Sequence, residues 1–177
     1  PGVSARALEF LVLTAARTGE ALGATWNEFD LDARVWTVPA RRMKAGKEHR
    51  VPLSDPAMEI LRAMKDDHGQ EGYVFPGKGK DGSQSNMAML ALLKRMGRDD
   101  LTVHGFRSTF RDWAAEQTIH PHEVCEMALA HTVGDRVEAA YRRGDMFKKR
   151  QRLMNDWGRY CYQPALSGEV VPMRPSA

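Results

Sequence analysis

The chain of 177 residues is 42% hydrophobic, carries a formal net charge of +3 and has a pI near 9.0. It is long enough to bury the core of one domain, and no apolar run approaches the roughly 20 residues that a membrane-spanning helix requires. The first residues lack a signal-peptide layout, and Cys125 and Cys161 form no CxxC pair, so the sequence favours a soluble cytoplasmic protein without a zinc site or disulfide framework.

The sequence of the first half of the chain predicts a β-hairpin with one helix before it and one helix after it. Apolar residues at helical spacing predict a helix over residues 4–18, with Ser4 as its N-cap. The β-type runs RVWTVPA and EHRVPLS flank the basic segment RRMKAGK, in which Ala45-Gly46 predicts a turn, and YVFPG is a candidate third strand. A second helix is expected after Ser54, its predicted N-cap, with Pro56 in the first turn.

The second half of the chain predicts helices alone. Beyond a polar loop at residues 78–85, helical spacing predicts five further helices, around residues 89–96, 102–117, 121–130, 134–141 and 145–160. The predicted fold class is therefore α+β and mostly α-helical, with a small three-stranded antiparallel sheet.

Residues 1–160 are predicted to form one domain. Residues 161–177, rich in Pro, Ser and Gly, are expected to be loosely ordered or to dock on a neighbour. Because the chain starts without methionine and almost directly in a helical pattern, we expect it to be the C-terminal part of a longer protein with an upstream domain.

Basic residues are concentrated in two stretches of the chain. Residues 41–50 hold five Lys or Arg against one acidic residue, and residues 136–159 hold eight against three. Such clusters suit a polyanion such as nucleic acid, where neutralisation of phosphates supplies much of the affinity. The alternative is a solvated charged face with no ligand.

Two pairs of residues have spacings that suit phosphate chemistry. Arg17 follows an apolar helix face, and Glu20 lies three residues further on, where its carboxylate could orient the guanidinium for bidentate phosphate binding. His104 and Arg107 are also three apart and would share one face of a helix. Each pattern alone is more often an ordinary surface or structural pair.

Three further residues are ambiguous when taken singly. Lys44 lies near the tip of the predicted hairpin, with Lys47 as a close competitor, and most hairpin lysines are merely solvated. Tyr141 follows a short amphipathic segment and precedes two arginines, and a tyrosine in that position is usually structural.

Taken together in chain order, the candidates resemble the active-site set of the tyrosine recombinases: Arg17, Lys44, His104, Arg107, His131 and Tyr141. The stretches LTAARTGEALGATWNEFDLDARVWTVPARRMKAGKEHRVPLS and AHTVGDRVEAAYRRGDMFKKRQRLMNDW are similar to the phage and genomic-island integrases of that family. The resemblance covers roughly residues 5–160 and implies the tyrosine-recombinase catalytic fold.

The resemblance implies that phosphate is bound without a metal ion. Arg17 and Arg107 would bind the non-bridging oxygens of the scissile phosphate, with Glu20 supporting Arg17. His104 would help to take the proton of the tyrosine, and His131 would donate a hydrogen bond to the same phosphate.

The resemblance also assigns the covalent chemistry. Tyr141 would be the nucleophile that forms a 3′-phosphotyrosyl intermediate, and Lys44 would protonate the leaving 5′ oxygen. No cofactor or ATP would be needed, because the phosphodiester energy is stored on the tyrosine. DNA contacts are expected from six basic residues: Arg41, Arg42, Lys47, Arg50, Arg142 and Arg143.

Two positions depart from the family pattern. The motif before the first arginine commonly reads TGxR, whereas this chain has alanine at Ala15, so we expect the helix to continue slightly further before it turns. Many relatives have Leu-Gly where this chain has Leu129-Ala130, a change expected to matter little. The histidines outside the motifs are expected on the surface, at His49, His68, His120 and His122. The tryptophans are expected in the core, at Trp26, Trp36, Trp113 and Trp157.

The implied partner is double-stranded DNA at an attachment site. The resemblance implies a homotetramer on DNA and a monomer when free, with exchange of the C-terminal segment and accessory DNA-bending or directionality proteins. It also implies association with the nucleoid of a bacterial cell during the reaction. The alternatives are a DNA-binding module that has lost its chemistry and a type IB topoisomerase.

Overall fold

The computed structural model describes residues 2–131 and 144–163, which form helices around one small sheet. The described helices are α1 (Val3–Thr14), α2 (Thr18–Leu22), α3 (Asp55–His68), α4 (Ala88–Arg95), α5 (Gly105–Glu116), α6 (His122–Ala128) and α7 (Phe147–Tyr162). The strands are β1 (Phe29–Asp30), β2 (Val35–Val38) and β3 (His49–Pro52), in the antiparallel order β1-β2-β3. The predicted fold class is confirmed. The helix predicted at residues 134–141 and the tail from residue 164 lie outside the described residues.

The predicted hairpin is confirmed, but its third strand comes from a different segment. Strands β2 and β3 pair with Trp36 opposite Val51, and Phe29 of β1 pairs with Trp36 from the other side. The prediction of a strand at YVFPG was wrong. In that run Tyr73 makes only an isolated bridge to Thr25, and the buried Val74 fills the core beside it. The proline that follows lacks an N–H for a ladder, which limits pairing there.

Helix α1 differs from its prediction at both ends. It begins at Val3 with Gly2 as the N-cap, and the Ser4 hydroxyl instead donates to Gln84 at 3.2 Å. It ends at Thr14, because Ala15 adopts the left-handed conformation with φ of 50° and closes the last turn. The expectation that the helix continues slightly past the departure from TGxR was therefore wrong. The alanine takes the backbone conformation that glycine adopts more easily.

The core consists of two hydrophobic clusters that meet at α1. In the larger cluster the ring centroid of Phe10 lies 5.4 Å from those of Trp36 and Phe75. In the smaller cluster, between α5, α6 and α7, the rings of Trp113 and Trp157 lie 5.0 Å apart. The predicted burial of all four tryptophans is confirmed. Trp157 donates to the Val12 carbonyl at 2.8 Å. Helix α7 is thereby fixed against the end of α1, where the candidate site begins.

Candidate active site

The chain bends between α1 and α2, and this first bend (residues 14–17) presents an oriented arginine. Arg17 is the N-cap of α2, and Glu20 in the first turn accepts its backbone N–H at 2.9 Å. The other Glu20 oxygen accepts from the Arg17 guanidinium at 2.7 Å. The Glu20 side chain is 6% exposed, whereas that of Arg17 is 27% exposed. A buried carboxylate therefore holds a guanidinium that remains open to a ligand, which is the geometry that the spacing indicates.

Arg107 lies on the buried face of α5 and joins the first bend to a second one. Its guanidinium donates to the Ala15 carbonyl in the first bend and, at 2.7 Å, to the Leu129 carbonyl after α6. Burial and, to a smaller extent, the Arg17 charge lower the pKa of Arg107 to about 10, although the Glu20 charge acts in the opposite direction. At neutral pH Arg107 is still a cation. Two positive groups, Arg17 and Arg107, thus share one polar site.

The second bend (residues 128–131) ends α6 and presents His131. Ala130 is left-handed, with φ of 51°, and the backbone N–H of His131 returns to the Glu126 carbonyl at 3.0 Å. The imidazole Nε2 lies 3.4 Å from the Arg107 guanidinium, and Nδ1 lies 2.8 Å from the Glu126 carboxylate. His131 therefore joins Arg17 and Arg107 in one group of polar residues, which is called the cluster below.

Glu126 is a member of the cluster that the sequence motifs do not indicate. One of its oxygens contacts His131 and the other accepts from Arg111 of α5. Burial raises the pKa of the Glu126 carboxyl, but hydrogen bonds from His131 and Arg111 outweigh this and hold the pKa below its ordinary value. Helix neighbours are three or four residues apart. Glu126 and His131 are five apart and meet only because the chain bends between them, so spacing gives no signal for this pair.

His49 is also close to the cluster, which corrects the expectation that it is a surface group. It is half-buried in β3, and burial together with the Arg150 charge lowers its pKa to about 4. The charge of Glu20 and the backbone of Ala128 act in the opposite direction. The imidazole of His49 thus lies between β3 and the second bend.

The other histidines outside the motifs divide into two groups. The expectation of a surface position is also wrong for His120, whose side chain is 17% exposed and lies 2.8 Å from Asp156. His68 and His122 are exposed, as expected, and His122 Nδ1 lies 2.9 Å from the Arg111 guanidinium.

The basic hairpin contains both exposed and structural residues. Arg41, Lys44 and Lys47 are exposed in the connection from β2 to β3. Arg42 is 17% exposed, and its guanidinium binds Glu28 and the backbone carbonyl of Glu20. These contacts engage the Arg42 guanidinium within the protein, and its expected DNA contact stays a prediction.

Arg50 connects β3 to the start of α7. Its guanidinium lies 4.2 Å from the centre of the Phe147 ring and 3.5 Å from an Asp145 oxygen. The buried Arg150 donates to Asp145 and to the Arg50 carbonyl. The Arg50 side chain is 44% exposed, so it remains available to an external phosphate.

The structure does not join every predicted site residue to the cluster. His104 is exposed at the N-cap of α5, one turn from Arg107. The Arg107 backbone N–H donates to the His104 carbonyl at 3.0 Å. Within residues 2–131 and 144–163, no side-chain hydrogen bond or ion pair connects His104, Lys44 or Lys47 to the cluster. The predicted nucleophile Tyr141 and its neighbours Arg142 and Arg143 lie outside the described residues.

The described part of the chain offers no metal centre and no membrane span. No group of three or more His, Cys, Asp or Glu side chains in it could hold a metal ion. None of its helices is long and apolar enough to cross a bilayer.

The mostly helical domain with a small antiparallel sheet has the fold of the tyrosine recombinase class, and the family model that matches the chain belongs to the same class. The chain belongs to the phage integrase family, whose model, described as Phage integrase family, matches residues 3–146.

Relatives and a solved structure support the same assignment. The chain is 38% identical over 162 residues to prophage integrase IntA of Escherichia coli (strain K12), covering 90% of this chain and 39% of that protein. It is 34% identical over 170 residues to prophage integrase IntZ of the same strain, covering 96% and 42%. The fold matches the integrase from mycobacterium phage Brujita with a TM-score of 0.67 and 19% identity, over 88% of this chain and 52% of that one. The chain thus spans about two fifths of the length of the curated relatives it matches.

Proposed function

We propose that the protein is a site-specific DNA recombinase that cleaves and rejoins DNA through a 3′-phosphotyrosyl intermediate on Tyr141. The observation that carries the proposal is the cluster around Arg107. It gathers two cations and an imidazole, Arg17, Arg107 and His131, around one partly open polar site. Preorganised donors of this kind stabilise the charge that develops on phosphate oxygens during transfer.

The proposed cleavage step conserves one phosphodiester bond. The Tyr141 oxygen attacks phosphorus, the bond from phosphorus to the 5′ oxygen breaks, and a 3′-phosphotyrosine with a free 5′ hydroxyl results. His104 helps to take the phenol proton, and Lys44 gives a proton to the leaving oxygen. Attack of another 5′ hydroxyl on the phosphotyrosine reverses the step, so strands are joined without ATP or a metal ion.

The same reasoning gives each donor a role toward the substrate. Arg17, Arg107 and His131 donate to the non-bridging oxygens, and Glu20 keeps Arg17 in position. Arg41, Lys47, Arg50, Arg142 and Arg143 bind the DNA backbone on either side. The exposure of Arg41 and Lys47 and the half-exposure of Arg50 support these contacts.

The proposed partner is duplex DNA at an attachment site, held by four copies of the protein. A free monomer assembles on DNA, with residues 161–177 exchanged between copies and accessory DNA-bending or directionality proteins setting the direction. Sedimentation of the natural-length protein with and without attachment-site DNA tests this assembly. A tetramer without DNA, or no species above a dimer with DNA, would contradict it.

Trapping on nicked duplexes tests the chemistry. The short cleaved strand diffuses away, religation is blocked, and a covalent adduct accumulates that a denaturing gel detects. We expect an adduct without added metal, mapped by peptide analysis to Tyr141. Tyr141→Phe should bind the duplex with unchanged affinity and give no adduct, whereas the matched control Tyr160→Phe should react like the parent protein.

Two outcomes would overturn the proposal. An adduct that persists in Tyr141→Phe would exclude that nucleophile. Binding without any adduct, by the natural-length protein on duplexes that cover the ends of its resident element, would identify a DNA-binding module without chemistry.

A further inference from the structure

Glu126 connects two helices to the imidazole of His131, and no proposed chemical step uses it. Its carboxylate lies between Arg111 of α5 and His131 of the second bend, 2.8 Å from Nδ1 of the imidazole. The side chain of Glu126 is 16% exposed, whereas that of His131 is 44% exposed. The carboxylate is thus set into the protein, and the imidazole extends from it toward the open site.

The direction of each hydrogen bond follows from what the groups can do. A guanidinium only donates, and an ionised carboxylate only accepts. The contact between Nδ1 and Glu126 therefore requires a proton on Nδ1. Nε2 is then the nitrogen that faces the Arg107 guanidinium, at 3.4 Å.

When a phosphate is bound, Nε2 of His131 must donate a hydrogen bond to it. Phosphate oxygens accept hydrogen bonds, so an imidazole that donates to phosphate through Nε2 and to Glu126 through Nδ1 carries a proton on each nitrogen. The carboxylate makes that arrangement favourable, since it accepts one proton and balances the charge of the ring. Without it the ring is free to rotate or to place its single proton on the other nitrogen.

We propose that Glu126 is a positioning residue that fixes the orientation and protonation of His131, with Nδ1–H toward the carboxylate and Nε2 toward the phosphate. Arg111 holds the carboxylate by occupying its second oxygen. This inference rests on the proposed function for the part that concerns phosphate. The orientation of the free imidazole does not depend on it.

The contact between Glu126 and His131 is not needed to hold α5 and α6 together. The ion pair between Arg111 and Glu126 already connects α5 to α6, and it would do so without His131. The His131 imidazole is 44% exposed, so water can satisfy its nitrogens without a protein partner. The contact to Nδ1 is therefore the feature that a purely structural ion pair does not explain.

Nitrogen NMR of histidine tests the orientation directly. The natural-length protein is labelled with ¹⁵N-histidine, and the His131 signals are assigned by their loss in His131→Gln. We expect a proton on Nδ1 in the parent protein. In Glu126→Ala the Nδ1 proton loses its acceptor, so the neutral ring should no longer keep its proton on Nδ1 alone. The matched control Glu116→Ala removes an exposed carboxylate from α5 and should leave the spectrum unchanged.

Cleavage of nicked duplexes gives the second readout. Glu126→Ala should lower the cleavage rate about 10- to 100-fold, the size expected when the partner that orients a catalytic imidazole is lost. DNA affinity in a gel shift should not change. Glu126→Gln should restore much of the rate, because its amide oxygen can accept the same Nδ1–H bond, and it tests the inference even if the alanine variant folds poorly.

The outcomes separate the inference from the proposed function. A parent protein that forms no adduct would overturn the recombinase chemistry, while the histidine spectrum would still decide the orientation. A parent protein that cleaves, with Glu126→Ala equally active, would overturn the inference alone. Slower cleavage with an unchanged Nδ1 proton would also overturn it, since Glu126 would then act only through the stability of the fold.

Discussion

The chain bends twice around the Arg107 guanidinium, at Ala15 after α1 and at Ala130 after α6, and the two bends are held in different ways. In both bends an alanine is left-handed, and each bend provides a carbonyl to Arg107. The first bend is stabilised locally, because Glu20 reaches back three residues to Arg17. The second is held by distant parts of the chain, since Arg111 of α5 binds Glu126 and His49 of β3 lies close to the Ala128 backbone.

The contacts that hold each bend determine how it responds to mutation and to pH. Apart from the contacts of Arg107 to Ala15 and of Arg42 to the Glu20 carbonyl, the first bend is held by Arg17 and Glu20. These two residues meet whenever the first turn of α2 forms. The second bend depends on the correct packing of α5, α6 and the sheet. We therefore expect mutations and pH to affect the two bends differently.

Removal of Arg107 should have the largest effect, because it belongs to both bends. Arg107→Ala leaves the carbonyls of Ala15 and Leu129 without their donor and removes a cation from the proposed phosphate site. Cleavage of nicked duplexes should fall about 100- to 1000-fold, as for loss of one donor in an oxyanion site.

Arg107→Lys distinguishes the structural role of Arg107, which is to bind two carbonyls, from its role as a cation in the proposed phosphate site. A lysine keeps the charge but lacks the planar fork that reaches two carbonyls, so unfolding in urea should show incomplete recovery of stability. Full recovery of both stability and cleavage would mean that Arg107 does not bridge the bends.

The two carboxylates should differ in their contribution to stability. Glu20 is 6% exposed and satisfies a backbone N–H at a helix start, so Glu20→Ala should destabilise the protein by about 1–3 kcal/mol. Glu126→Ala removes a more exposed pair and should cost about 1 kcal/mol or less. Urea unfolding monitored by tryptophan fluorescence measures both. Equal losses would contradict the view that the first bend is held by the more deeply buried carboxylate.

These residues show where sequence reasoning succeeds and where it stops. Helix periodicity and turn composition predict the hairpin and most of the helices, and the three-residue spacing of Arg17 and Glu20 predicts their ion pair. The pairing of Glu126 with Arg111 and the half-buried position of His49 arise only through tertiary packing, so no spacing in the chain indicates them. The pairing of Arg42 with Glu28 also arises through tertiary packing, and the basic stretch that contains Arg42 does not indicate it.

Acid should act on the second bend through His49. The folded pKa is about 4 and the ordinary value is 6.5, so the unfolded chain binds the proton more readily between these values. The stability associated with neutral His49 is complete above pH 6.5 and is lost as the pH falls toward 4, by about 3 kcal/mol at most. His49→Gln should flatten this part of the stability profile.

The control for this experiment is an exposed histidine on α3. His68→Gln should leave the pH profile of the free energy of unfolding parallel to that of the parent protein. Measurement between pH 5 and 6.5 also keeps carboxylate titration small, because Glu126 titrates below its ordinary value of 4.5. A parent profile that is flat between pH 5 and 6.5 would show that His49 is not held neutral in the fold.

The smallest effects concern the alanines themselves, where the two bends should respond unequally to glycine. Relief of a left-handed alanine is worth about 1 kcal/mol, partly offset by the greater freedom of glycine in the unfolded chain. Ala15 is 2% exposed, so Ala15→Gly also loses a buried methyl group worth about 0.8 kcal/mol and should be close to neutral. Ala130 is half-buried and loses less, so Ala130→Gly should stabilise the protein by about 0.5 kcal/mol. Thermal unfolding of the two variants and their combination measures this, and a larger gain at Ala15 would mean that its methyl group does not pack against the smaller cluster.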